Sequence, residues 1–131
     1  MQTILFLCPH GAAKSVLAAA YCQRLVERHG LSVRITSAGA EPDAVIAPAV
    51  VERLHAEGLP TPDGPPRLVT REELASASRI VSLGCNLSDL LPPGKPIEHW
   101  HDVPAVGVNL NAACDDIRAR VEKFVAELKP L

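Results

Sequence analysis

Aromatic side chains are scarce in this 131-residue chain, which has two Phe, one Trp and one Tyr. So small a set counts against a platform on which bases or sugars stack. Charge of one sign is missing too. Thirteen Lys and Arg face fifteen Asp and Glu, a net charge of -2. That balance points away from nucleic acid or an anionic membrane as a partner. No apolar run approaches the ~20 residues of a membrane span. The short apolar run near the start lacks a basic flank and reads as a strand, unlike a secretory leader. A cytoplasmic location is the expectation. Cys8, Cys22, Cys85 and Cys114 contain no C-x-x-C pair and no zinc-ribbon spacing. In a reducing compartment they are free thiols unless one is catalytic or redox-active. His10, His99 and His101 show no metal-ligand spacing with Cys8. Neither a metal nor a cofactor is expected.

What the chain does have is concentrated at residues 4–15. The apolar run Ile4-Leu5-Phe6-Leu7 delivers Cys8, and Pro9-His10-Gly11-Ala12-Ala13-Lys14-Ser15 follows as a loop of mostly small residues. An amphipathic run then begins at once. A strand, a tight loop and a helix N-terminus in that order make an anion site, because loop N–H groups converge and the helix adds unpaired donors and its positive dipole end. Cysteines beside helix N-termini or cations lose their protons readily. The pattern therefore proposes a thiolate pointed at a bound oxyanion. Cys8 also fits a buried strand-end cysteine without chemistry, but the loop, the basic residue and the helix favour the functional reading. A first-turn lysine is unfavourable beside the positive helix end, so a bound anion is the better account of Lys14.

Strands are expected at 3–8, 32–37, 79–83 and 97–100, and helices at 14–29, from Pro48 to Gly58, from Thr70 to about Ala77, and after Asn109. Thr70 with Glu73 forms a capping box. Asp115 and Asp116 are expected in the first turn of the last helix, where negative charge is favoured. Cys22 and Cys114 fall on apolar helix faces and read as core. Strands alternating with helices predict an α/β fold: one three-layer domain over 1–131, with a four-stranded parallel sheet and helices on both faces. Ligands in such sheets bind beyond the C-terminal strand ends, where strand order switches. Cys85, His99, His101 and Asp102 should lie on that edge with Cys8.

The strand, C-x5-[basic]-S and helix at the N-terminus resemble the low-molecular-weight protein tyrosine phosphatase superfamily, with a phosphatase-I-like fold. Ser37-Ala38-Gly39 after the second strand is shared with that family. Leu91-Pro92-Pro93, Glu98-His99-Trp100, and Asp102 with Pro104-Ala105 are similar to its thioredoxin-coupled arsenate reductase branch. The resemblance spans nearly the whole chain. It implies Cys8 as nucleophile, an oxyanion loop from Pro9 through Ser15 with an amide cradle from His10 through Ser15, Ser15 as a donor to the thiolate, and Asp102 as general acid. Three departures stand out. Lys14 replaces an arginine whose planar fork grips two oxygens, and loss of one such donor typically costs ~10²–10³ in rate. His10-Gly11 replaces Gly-Asn, with Gly11 free to take a left-handed conformation. Val103 separates Asp102 from Pro104. The arsenate reductases also relay oxidation to two further cysteines, of which only Cys85 has a counterpart, one residue late.

The resemblance thus implies a cysteine-dependent enzyme that hydrolyses a phosphate monoester, on a phosphoprotein or a small molecule. One alternative is arsenate reduction using Cys8 with Cys85 or an external, thioredoxin-type thiol. Another is a non-catalytic oxyanion-binding or redox-sensing module.

Overall fold

The apolar run at the start of the chain becomes strand β1 (Gln2–Cys8), buried over its last five residues. This computed structural model describes residues 2–85, 87 and 89–128. Asn86 and Ser88, in the expected loop after the third strand, lie outside them. After β1 come α1 (Lys14–Arg28), β2 (Val33–Gly39), α2 (Pro48–Ala56), α3 (Arg71–Ser76), β3 (Arg79–Ser82), β4 (Glu98–His99) and α4 (Leu110–Leu128). The four strands form one sheet in the order β2-β1-β3-β4, and every pair is parallel.

β1 is apolar at every position from Ile4 to Cys8 because both of its faces are covered. Ile4, Phe6 and Cys8 join a core with residues of α1, α2 and α4, including Leu17, Leu54 and Phe124. Leu5 and Leu7 face the other way, into a smaller core with Leu74 of α3, Ile80, Cys85 and Leu87. The expected three layers are present, with three helices on one face. On the other, α3 shares its face with loop residues such as Leu90 and Leu91.

Element ends follow local chemistry. Thr70 Oγ1 accepts from the Glu73 N–H at 3.1 Å, and the Glu73 carboxylate accepts from the Thr70 N–H at 3.2 Å, completing the capping box. Asn109 Oδ1 accepts from the Ala112 N–H at 3.0 Å and opens α4. Two expectations need correcting. Because α4 begins at Leu110, Asp115 and Asp116 lie beyond its first turn. Asp116 instead accepts from Arg120 Nε at 3.0 Å, one turn on, and Asp115 lies 3.9 Å from Arg118. The expected strand at 97–100 shrinks to two residues, since Pro96 lacks an N–H for the ladder and a turn starts at His101.

β1 leads through α1 to β2 on one side, and the chain then crosses back over β1 to β3 on the other. The loops leaving β1 and β3 therefore part in opposite directions and open a crevice at their C-terminal ends. Cys8 is the last residue of β1.

Candidate functional site

Cys8 is 4% exposed, and its sulfur lies 3.0 Å from the hydroxyl of Ser15, which is fully buried in the first turn of α1. Six residues of chain lie between Cys8 and Ser15, and the loop they form must curl tightly to join these atoms. Gly11 supplies the bend, with φ +61° and its N–H donating to the Cys8 carbonyl at 3.3 Å. No side chain caps α1, so the free N–H groups of its first turn face the concave side of the loop.

The outer side of the loop is braced by residues 41–47. The N–H groups of Glu41, Asp43 and Ala47 donate to the carbonyls of Pro9, His10 and Ala12 at 2.7, 3.0 and 2.9 Å. With the Pro9 and Ala12 carbonyls fixed outward, the His10 and Ala13 N–H groups of the same trans peptides point the opposite way, toward the centre. The brace can come this close because Gly39 stands behind Gly11. A Cβ on Gly39 would lie 2.5 Å from the Gly11 nitrogen, and one on Gly11 would lie 2.9 Å from the Gly39 nitrogen. The segment 41–47 carries no periodic signal in the sequence, and the small-residue turn Ala38-Gly39-Ala40 is the trace of its role.

His10 is exposed and belongs to the brace. Its Nδ1 is 3.2 Å from the Glu41 carbonyl and 3.4 Å from Asp43 Oδ1. Lys14 reaches the other way, with Nζ donating to the Val103 carbonyl at 3.0 Å. It thereby ties the N-terminal loop to the loop before α4.

Asp102, expected beside Cys8 as an acid, is exposed and accepts from Arg120 Nη2 of α4 at 2.6 Å. That hydrogen bond holds its carboxyl below the usual carboxylate range. The sequence pattern could not reveal this, because the partner lies eighteen residues on. His99 and His101 are also exposed, and Nδ1 of the first is 2.9 Å from Nε2 of the second. Trp100 between them turns inward, 5.8 Å from Phe6 between ring centroids.

Cys85 does come to the site's edge. It is 6% exposed, after a turn at Gly84 with φ +96° whose added Cβ would lie 3.9 Å from Pro9 Cδ. Burial, with repulsion from charge on Cys8, pushes its thiol up to about 11, while hydrogen bonds from the Ala40 N–H and Ser82 oppose the rise. Cys22 lies wholly in the core, where desolvation raises its thiol to about 12. Cys114 is equally buried. Among the described residues no group of three His, Cys, Asp or Glu side chains could hold a metal ion, and no helix is long and apolar enough to cross a membrane.

The chain that builds this loop, with a buried serine on the sulfur of its strand-end cysteine, matches the family model for low molecular weight phosphotyrosine protein phosphatase over residues 3–130. The chain belongs to this family. Among the proteins it is similar to are several arsenate reductases. It is 28% identical over 130 residues to a Halobacterium salinarum protein named "Putative arsenate reductase", covering 95% of this chain and 92% of that one. An Archaeoglobus fulgidus arsenate reductase structure is 30% identical with TM-score 0.77, covering 94% of this chain and 98% of that one. The thioredoxin-dependent arsenate reductase of Corynebacterium glutamicum is 26% identical with TM-score 0.80. There the match covers 97% of this chain but only 61% of the other.

Proposed function

We propose that the family member described here is a cysteine-dependent oxyanion enzyme, with Cys8 as nucleophile. Pro9, His10, Gly11, Ala12, Ala13, Lys14 and Ser15 form the loop that holds the oxyanion. The observation that carries this reading is the 3.0 Å contact between Cys8 Sγ and the buried Ser15 hydroxyl at the open end of α1. The hydroxyl donates to the attacking sulfur as thiolate, and the loop N–H groups complement charge on the oxyanion oxygens. Lys14 adds a point charge at the rim while keeping its bond to Val103.

Two reactions suit this machinery. With a phosphate monoester, Cys8 attacks phosphorus, the ester oxygen leaves, and water hydrolyses the phosphocysteine. With arsenate, Cys8 attacks arsenic and a hydroxyl departs as water. Cys85 then attacks the Cys8 sulfur, and the sulfur–arsenic electron pair leaves with arsenic as arsenite. The resulting Cys8–Cys85 disulfide needs an external dithiol, of the thioredoxin type, to restore both thiols.

Asp102 favours the second reaction. Ester cleavage gains from an acid that protonates the leaving oxygen, and here the candidate acid is ionised and paired with Arg120. Arsenate carries its own exchangeable protons, and Cys85 stands at the edge of the loop. The arsenate reductases at 26–30% identity support the same choice.

The test is to supply the purified protein with arsenate and a dithiol and measure arsenite, alongside hydrolysis of para-nitrophenyl phosphate. Arsenite formation that is lost in both Cys8→Ser and Cys85→Ser supports arsenate reduction. Ester hydrolysis that needs Cys8 but not Cys85, without arsenite, would make the protein a phosphatase. Phosphate binding with neither reaction would leave a binding module and sink the proposal.

A further inference from the structure

Ser82 has no part in the chemistry just described, yet it is one of two buried polar side chains among the described residues, Ser15 being the other. It is fully buried at the end of β3, beside the central strand. Its hydroxyl accepts from the Cys85 N–H at 3.0 Å and lies 3.3 Å from the Cys85 carbonyl, to which it donates. One side chain thus grips both backbone groups of the residue three positions on. Between them the chain makes the left-handed turn at Gly84, and that turn lies near Pro9, next to Cys8. Leu83 is anchored as well, its N–H donating to the Leu7 carbonyl at 2.7 Å.

A strand that merely ended here would need no such clamp. The sheet ladder already holds Ser82 opposite Leu7, and Cys85 could pack as a small apolar residue in any rotamer. The clamp fixes the direction in which Cys85 leaves the sheet. Its thiol then faces the Ala40 N–H as a donor, which opposes the rise caused by burial. Ala40 follows Gly39, so the same turn that backs the anion loop also faces the second cysteine.

We infer that Ser82 is a positioning residue for the second thiol: its clamp on residue 85 aims the Cys85 sulfur at Cys8 and shortens the time to disulfide closure. The inference rests on the proposed thiol chemistry of Cys8 and Cys85, and it assigns Ser82 no contact with substrate.

The step to follow is closure driven by hydrogen peroxide. Cys8 is oxidised to a sulfenic acid with release of water. Cys85 then attacks that sulfur and a second water leaves. Two thiols and one peroxide thus give one disulfide and two waters. Mass spectrometry of a non-reduced tryptic digest times the appearance of the linked Cys8 and Cys85 peptides. Loss of one buried hydroxyl that makes two hydrogen bonds should slow closure by about tenfold or more in Ser82→Ala. Ser82→Thr, which keeps the hydroxyl, should close close to the wild-type rate. If removing the side chain prevents folding, Ser82→Thr and Ser82→Val are compared, being equal in shape and different only in the hydroxyl.

A control separates aim from general damage. The rate at which iodoacetamide alkylates Cys8 reports on the anion loop, and it should be the same in the slow-closing variant as in wild type. Closure as fast in Ser82→Ala or Ser82→Val as in Ser82→Thr would overturn the role of Ser82 and leave the thiol chemistry standing. Failure of the wild-type protein to form the Cys8–Cys85 link at all would instead overturn the reading beneath it, and this inference with it. Slow closure together with slow Cys8 alkylation would show a collapsed loop and would also count against positioning.

Discussion

Ser15 is buried with its hydroxyl on the Cys8 sulfur, and on the proposed function that single atom distinguishes the Cys8 thiol from one packed in the core. Ser15→Ala removes a donor to a charged sulfur without touching the oxyanion loop's backbone. Its loss should lower the rate of the Cys8 reaction by roughly 10²-fold with little change in oxyanion affinity. Transient alkylation and steady-state kinetics on the same variant check both halves. Asp102 offers the converse test. An acid that protonates a leaving group contributes ~10²–10⁴-fold, whereas a carboxylate occupied by Arg120 contributes little to rate. Asp102→Asn should therefore keep ester hydrolysis within about threefold of wild type, where loss of a general acid would cost ~10²-fold. A loss of that size would restore Asp102 as the acid. At this scale the sequence was legible where a contact depends on near neighbours, as with the meeting of Cys8 and Ser15. It was not legible for Asp102, His10 and Lys14, because each takes its partner from a distant part of the chain: Arg120, the brace at 41–43, and Val103.

Elements were readable for the same local reasons. β1 announces itself by an unbroken apolar run, α3 by its capping box, and α4 by Asn109. The brace at 41–47 was not readable, since it has no periodic pattern and works through backbone N–H groups that any residue except proline carries. What the sequence does record is the glycine that lets it approach. Gly39 pairs with Cys8 in the sheet, and its outer edge bonds to Arg67 and Val69, so it has no room to move away from Gly11. Gly39→Ala places a methyl group within overlap of the Gly11 backbone. Overpacking of this kind typically costs about 1–3 kcal/mol. The strain should appear in the anion loop first, as a loss of phosphate affinity measured by calorimetry that exceeds the drop in thermal stability. Equal phosphate affinity in the variant would show that the loop needs no glycine behind it.

The scarce aromatics turn out to be concentrated. Phe6, Trp100 and Phe124 meet in one cluster, with ring centroids 5.8–6.0 Å apart, and join the central strand to β4 and α4. The fourth, Tyr21, serves a different junction. Glu57, just past α2, accepts from Tyr21 at 2.9 Å and Arg53 at 2.8 Å, and also from Arg118 of α4. Arg24 of α1 donates to the Glu57 carbonyl at 2.6 Å. Desolvation pushes the Glu57 carboxyl up, but the hydrogen bonds from Tyr21 and Arg53 and the charges of Arg118 and Arg53 outweigh it, so the net shift is downward. A carboxyl lowered on folding adds stability at pH values above its unfolded pKa of ~4.3, and that stability is lost as pH falls through the lower folded value. Glu57→Gln should therefore lower the melting temperature at neutral pH by a few degrees and narrow the gap to wild type on acidification below about pH 4. A gap that stays constant with pH would remove Glu57 from the acid response.

The strand order has a consequence for a chain still being synthesised. β1 leaves the ribosome before the other three strands and lies inside the finished sheet, between β2 and β3. Its partner on one side follows soon, since Gln2 pairs with Val33. The partner on its other side is far down the message, with Ile4 opposite Arg79. Until then the most apolar strand of the protein keeps one edge unpaired, and an unpaired strand edge is a template for joining another chain. The nascent polypeptide thus passes through a stage in which its anion loop and brace have emerged while its second thiol has not. During that stage the open β1 edge is where the chain is exposed to pairing with another copy, and that exposure ends only when β3 arrives.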